Sequence, residues 1–139
     1  MKKVLSLSMT VLLLIILSAC GASEASIEPN NENMIINIKN NTNFDVYGME
    51  VSILGHSQTS VNADGSEVKK GESLMFEFLE EDFKLNGEAT MEVSILKNNN
   101  NDDVIPIDKK NKLELGNNKE LFFEITGNSI NEVDLNSVK

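Results

Sequence analysis

Apolar and polar residues alternate with a period of two along most of the chain after residue 34. Seven runs share the pattern, and in each run the apolar side chains fall on one face of an extended segment. The runs span residues 36–38, 49–53, 74–78, 89–95, 104–107, 113–115 and 121–125. Pro106 cannot donate a ladder hydrogen bond, which favours an edge strand for its run. The pattern therefore predicts about seven short strands.

Turn-forming residues separate these runs. Asp64-Gly65 and Asn86-Gly87 are dipeptides typical of tight hairpin turns. The alternation changes phase between Val46 and Met49, and Gly48 at the break predicts a bulge or a short turn. Because no stretch shows a helical stripe, the sequence predicts an all-β fold, a small antiparallel β-sandwich.

One hexapeptide occurs twice. Met-Glu-Val-Ser-Ile-Leu fills residues 49–54 and again residues 91–96, and related apolar runs follow at 74–78 and 121–125. Two explanations remain open, namely duplication of a half-domain and independent convergence of two core strands. We favour convergence, because the spacing between the repeated elements is not constant.

The N-terminal segment has a different pattern. Met1-Lys2-Lys3 is basic, and residues 4–17 are mostly apolar. A membrane-spanning helix needs about 20 apolar residues and a basic stop-transfer flank, and the following Gly21-Ala22-Ser23-Glu24 is not basic. Residues 1–19 are therefore interpreted as a removable export signal.

Leu17-Ser18-Ala19-Cys20 follows the apolar run directly. It resembles the lipobox of bacterial prolipoproteins, in which an apolar residue and two small residues precede a cysteine. The resemblance implies cleavage after Ala19 and a thioether-linked lipid on Cys20, with further acylation such as palmitate. Such chains anchor a protein stably, so we expect a lipid-anchored protein of the cell membrane on its extracytoplasmic side. The abundance of Asn, Lys and Ile favours a Gram-positive source.

The exported part divides into a tether and one domain. Residues 20–33 are small and acidic without periodicity, which predicts a flexible acidic tether. Residues 34–139 suffice for a single domain with its own core. The stretches 36–42 and 68–73 resemble immunoglobulin-like domains of exported bacterial proteins. That resemblance implies a fold and leaves function open.

The charge of the chain limits its partners. The chain has 12 basic and 22 acidic residues, a net charge of −10, and Lys2 and Lys3 lie in the predicted signal. An acidic domain repels nucleic acid and anionic lipid headgroups. Cations and basic proteins stay possible partners. The alternative is that the charge only keeps the protein soluble.

Two acidic clusters are candidate metal sites. Asp64 and Glu67 lie in a loop whose spacing is similar to the start of a calcium loop, but Gly71 occupies the position expected for its late acidic ligand. Glu80, Glu81 and Asp82 follow an apolar strand. We favour a turn without bound metal for both clusters, so no metal site and no cofactor are predicted.

The sequence contains few candidate catalytic residues. The lone cysteine is assigned to lipid, and the lone histidine, His56, is expected in a loop after the strand at 49–53. No nucleophile elbow and no phosphate-binding glycine loop occur. The sequence therefore predicts a non-enzymatic protein-binding or accessory module with another envelope protein as its partner and no small-molecule substrate. The alternative is a module that binds Ca²⁺ or a cell-wall polymer through its acidic loops.

Overall fold

The computed structural model describes residues 27–100 and 102–139. Within these residues the chain forms nine β-strands and one turn of 3₁₀-helix, Ile130–Glu132. In chain order the strands are β1 Asn33–Thr42, β2 Gly48–Ile53, β3 His56–Val61, β4 Ser73–Leu79, β5 Glu88–Leu96, β6 Val104–Pro106, β7 Asn111–Glu114, β8 Lys119–Gly127 and β9 Asp134–Val138. The predicted signal, Cys20 and the first part of the tether lie outside the described residues.

The strands form two sheets. Sheet A has the order β4-β1-β8-β9, and sheet B has the order β3-β2-β5-β6. β7 also pairs with β5, on the same edge as β6, because β2 occupies the other edge. Pro106 ends β6 on the outer strand of this sheet, so the predicted edge position is confirmed.

The two sheets pack through the apolar positions of their alternating strands. Sheet A contributes the inward residues of β1, β4 and β8, and sheet B contributes those of β2 and β5. The core cluster includes Ile36, Ile38, Phe76, Phe78, Phe123 and Ile125 from sheet A and Met49, Val51, Ile53, Met91, Val93 and Ile95 from sheet B. This arrangement confirms the predicted all-β sandwich, because one face of each sheet is removed from water.

One strand pair differs from the antiparallel pattern. β1 and β8 run parallel, with a continuous register from Met34 opposite Lys119 to Thr42 opposite Gly127. All other described pairs are antiparallel. A parallel pair needs a long connection, and here the whole of sheet B lies between the two strands in the sequence.

Two strands were not predicted. β3 reads His-Ser-Gln-Thr-Ser-Val and has no apolar alternation, and it forms because β2 offers it a hydrogen-bonded edge. β9 at the C-terminus pairs with β8 in the same way. The boundary of the tether also differs from the prediction, because Asn33 is the first residue of β1 and is fully buried.

The two turn dipeptides form turns but not the hairpins that the sequence predicted. Asp64-Gly65 lies between β3 and β4, and Asn86-Gly87 lies between β4 and β5, so both join strands of different sheets. The two-residue hairpin is Leu54-Gly55, where Ile53 pairs with His56. Its residues have φ values of 52° and 83°, the left-handed conformation that such a turn requires.

Gly48 lies where the alternation changes phase. The structure has no bulge there; residues 43–47 are irregular, and Gly48 is the first residue of β2. A Cβ atom at this position would lie 2.6 Å from Cγ1 of Val61 and 2.7 Å from the carbonyl oxygen of Ser60. Glycine is needed because β3 approaches the backbone closely.

Candidate functional site

The Asp64 cluster is a turn on the surface. The backbone N–H of Ser66 donates a 2.9 Å hydrogen bond to Oδ1 of Asp64. Hydrogen bonds from the hydroxyl and the backbone N–H of Ser66 hold the pKa of Asp64 below its ordinary value of 3.8. Glu67 is exposed in the same turn. The Asp64 carboxylate is thus used to order the turn.

The second acidic cluster lies at the opposite end of the sandwich. Oε2 of Glu80 accepts a 2.9 Å hydrogen bond from the backbone N–H of Leu85, which closes the turn after β4. Glu81 and Asp82 are exposed. The seven residues of β4 separate this cluster from the Asp64 turn, a distance of about 20 Å along the strand. The two clusters therefore cannot share one ion.

In the part of the chain that the structure describes, no other set of side chains forms a metal site either. Among residues 27–100 and 102–139, no three His, Cys, Asp or Glu side chains come close enough to hold a metal ion together.

None of the helices in the same residues has the length and apolar composition that a bilayer crossing requires.

The sequence predicted that His56 lies in a loop, and this prediction is wrong. It is the first residue of β3, opposite Ile53, and its ring centroid lies 5.1 Å from that of Phe83. Phe83 in turn meets Phe78 edge to face, with centroids 6.0 Å apart. His56 is exposed, and its ring packs on the partly buried Phe83 at the edge of the core.

Asn40 is a buried polar residue that sequence reasoning missed as a structural centre. Its side-chain amide donates a 2.6 Å hydrogen bond to the carbonyl oxygen of Val68, and its Oδ1 accepts bonds from the backbone N–H and the hydroxyl of Thr42. Its main chain bonds Glu72 and Gly71. Asn40 therefore fastens the end of β1 to the connection between β3 and β4.

Asn33 plays the same part at the other end of β1. Its Nδ2 contacts the carbonyl oxygen of Glu28 and Oε1 of Glu77, and its Oδ1 accepts a bond from the backbone N–H of Asn30. The N–H of Asn118, before β8, bonds the carbonyl oxygens of Asn30 and Asn33. Residues 28–33 are consequently fixed to the domain, which shortens the predicted tether.

A shallow groove of about 570 Å³ lies on the outer face of sheet B. Its wall includes Ser52, Thr90, Glu88, Glu92 and Lys112. Glu92 forms a salt bridge with Lys110 beside the groove. Leu54, Gly55 and Ala89 complete the lining of this open groove. The groove brings together no nucleophile and general base of the kind that acyl or phosphoryl transfer requires.

The outer faces of the two sheets carry different apolar residues. On sheet A, Met75, Phe122 and Val138 are exposed at one level of the sheet, with relative accessibilities of 36%, 49% and 43%. On sheet B, Val61 and Val104 are exposed to similar extents on either side of the buried Leu96. Within the residues that the structure describes, Phe122 is the one exposed phenylalanine, and Leu54 in the turn between β2 and β3 is the most exposed large apolar residue, at 60%.

Comparison with known proteins adds no identification. The chain matches no protein-family model and no curated protein at a significant level.

Proposed function

We propose that this chain is an extracytoplasmic lipoprotein, anchored to the cell membrane through Cys20, and that its β-sandwich is a non-enzymatic protein-binding or accessory module. The observation that carries the anchor is Leu17-Ser18-Ala19-Cys20 at the end of a basic and then apolar segment. A thiol at that position is a soft nucleophile that accepts a diacylglyceryl group, and the small residues before it let a peptidase reach the backbone.

The position of the domain relative to such an anchor follows from chain length. Hydrogen bonds to the domain begin at Glu28, so eight residue steps separate it from Cys20. Because one extended residue spans at most about 3.3–3.6 Å, the domain lies within roughly 29 Å of the lipid. The end that faces the anchor carries Glu28, Glu32 and the Glu80–Asp82 cluster. These carboxylates repel anionic headgroups and support a domain held away from the bilayer.

The accessory role is supported by the distribution of polar groups. The buried amides of Asn33 and Asn40 are used to join strands and loops. The groove on sheet B is open to solvent, and Met75, Phe122 and Val138 are exposed on the outer face of sheet A. Flat surfaces with a few large apolar side chains suit protein contacts better than small ligands, which bind in concave pockets.

Metabolic labelling tests the anchor. The protein is expressed in a bacterium fed a tagged fatty acid, alongside Cys20→Ala and the double variant Cys20→Ala/Ser23→Cys, which retains a thiol three residues later. We expect label on the wild-type protein alone. Label on Cys20→Ala, or on the relocated thiol, would contradict the proposal, as would an unlabelled wild-type protein.

A further inference from the structure

An apolar patch lies on the outer face of sheet A. The strand registers place Met75 of β4, Asn37 of β1, Phe122 of β8 and Val138 of β9 side by side across all four strands. Ile35 lies two residues before Asn37 on the same face, and it is fully buried although it is outside the core cluster. Because Ile35 is not exposed, we define only Met75, Phe122 and Val138 as the sheet A patch.

Three carboxylates border this patch in fixed positions. Asn33, Asn37 and Asn41 recur at every fourth residue of β1 and point to the same face. Their amides donate to Glu77 at 2.6 Å, to Glu120 at 2.7 Å and to Glu124 at 3.0 Å. Glu120 and Glu124 lie directly before and after Phe122 in the outward series of β8. The asparagines therefore hold negative charge beside the exposed phenylalanine.

The charge of this face restricts the class of partner that can bind it. On the four strands of this face, the carboxylates of Glu77, Glu120, Glu124 and Asp134 outnumber two cations. These are Lys39 and Lys109, and Lys109 bonds Asp134 and Asn136 of β9. A second copy of the chain would bring the same carboxylates together, and each chain has a net charge of −10. An anionic bilayer would meet the same repulsion. A protein segment with lysine or arginine beside large apolar residues satisfies both the glutamates and the patch.

We infer that the sheet A patch docks a basic segment of another extracytoplasmic protein, with apolar side chains on Phe122 and Val138 and cationic side chains on Glu120 and Glu124. This inference rests on the proposed accessory function and names its surface. Val61 and Val104 on sheet B provide an internal control, because their exposure is similar and the adjacent Lys97–Asp103 pair is neutral overall.

A peptide-binding experiment tests the inference with the full lipidated protein in phosphatidylcholine nanodiscs. The probe is a fluorescent peptide that alternates lysine and leucine, compared with a lysine–serine and a glutamate–leucine peptide. We expect only the lysine–leucine peptide to bind. Phe122→Ser should weaken its binding about tenfold, as loss of a central aromatic anchor does. Val104→Ser should leave binding within about twofold, since it lies outside the patch.

A second pair of variants isolates charge from shape. Glu120→Gln/Glu124→Gln keeps an acceptor for Asn37 and Asn41 and removes two charges, and Glu50→Gln/Glu88→Gln removes two charges from sheet B. We expect the first pair to weaken binding about fivefold and the second to change it less than about twofold. Equal effects of the two pairs would overturn the inference, because general attraction to an acidic protein would then explain binding. Circular dichroism melts show that each variant is folded, and Val138→Thr replaces Phe122→Ser if the latter is not.

Photo-crosslinking in cells tests the occupant itself. A photoreactive residue at Val138 should trap a protein whose crosslinked segment, sequenced by mass spectrometry, is basic and contains large apolar residues. The same residue at Val104 should not trap it. Lipid adducts, crosslinks to a second copy, equal trapping at Val104 or no crosslink at Val138 would each overturn the inference. Fatty-acid labelling at Cys20 is independent of these results, so failure of the anchor and failure of the patch are distinguishable.

Discussion

Val51 of β2 lies directly opposite Val93 of β5, and both side chains are buried in the core. These two valines are the third residues of the identical hexapeptides at 49–54 and 91–96. The two copies pair with each other in antiparallel fashion around them, with Met49 opposite Ile95 and Ile53 opposite Met91. The related apolar runs at 74–78 and 121–125 lie in β4 and β8, on either side of β1 in the other sheet. The two copies of the hexapeptide are therefore paired neighbouring strands in the structure.

This pairing predicts coupled stabilities. Val51→Ala and Val93→Ala should each lower the free energy of unfolding by about 1–3 kcal/mol, because each leaves a space in a close-packed core. Their effects should not add, and the double variant should differ from the sum by at least about 0.5 kcal/mol, since the residues are direct neighbours. Urea unfolding of the four proteins measures this, with the exposed Val138→Ala as control. Strict additivity would show that the two side chains do not share one packing site.

The hydrogen bonds of Asn40 lead to a second prediction. Asn40→Ala should lower the free energy of unfolding by about 2–3 kcal/mol, because the carbonyl oxygen of Val68 and the backbone N–H of Thr42 lose their buried partner. Asn37→Ala is a matched control on the same strand, and its amide bonds an exposed glutamate. We expect that control to change stability by less than about 0.5 kcal/mol. Similar losses for both variants would contradict the assignment.

Alternation was sufficient to predict the core strands, because burial of one sheet face imposes it on the sequence. It could not reveal β3, whose residues are polar and whose formation depends on hydrogen bonds from β2. Nor could it reveal the parallel pairing of β1 with β8, which is decided by tertiary packing. Asp64-Gly65 and Asn86-Gly87 were recognised as turns, but turn chemistry does not specify which strands a turn connects.

The candidate site was less accessible to sequence reasoning. Acidic clusters attract notice as possible ligands, and the structure separates the Asp64 turn from the Glu80 turn by the length of β4. The sheet A patch depends on register, because Met75 and Phe122 lie at one level, on either side of Asn37, only through the pairing of β4 and β8 with β1. The spacing of Asn33, Asn37 and Asn41 on one strand is the signal that could have indicated it.

The hairpin between β2 and β3 gives a third prediction. Leu54 has a φ of 52°, a conformation that is unfavourable for a large side chain and favourable for asparagine. Leu54→Asn should therefore raise the free energy of unfolding by about 0.5–1 kcal/mol, since the leucine is 60% exposed and contributes little to the core. Gly55→Ala, with a φ of 83° at the wild-type position, should lower it. A destabilised Leu54→Asn protein in urea would show that Leu54 packs more than its exposure indicates.

The ion pair of Asp134 with Lys109 gives a prediction for pH. Nζ of Lys109 lies 2.9 Å from Oδ1 of Asp134, and its hydrogen bond holds the pKa of Asp134 below the ordinary 3.8. A lowered pKa stabilises the folded state above pH 3.8, and this contribution is lost as the pH falls through the folded-state value. Because both side chains are about half exposed, the gain is at most about 0.5 kcal/mol.

Unfolding of Asp134→Asn measures this contribution. The wild-type protein should be slightly more stable than the variant at pH 7, and the two should converge below the folded-state pKa of Asp134. Added salt should reduce the difference at pH 7, because it screens exposed charges. A difference that grows as the pH falls would have the wrong sign for a depressed carboxyl pKa.

The central claim concerns the chemistry of one thiol, and intact-mass spectrometry of the protein isolated from bacterial membranes tests it most directly. The account predicts a chain that begins at Cys20 and carries a diacylglyceryl thioether, with residues 1–19 absent. A chain that retains Leu17-Ser18-Ala19 ahead of an unmodified Cys20 would contradict it.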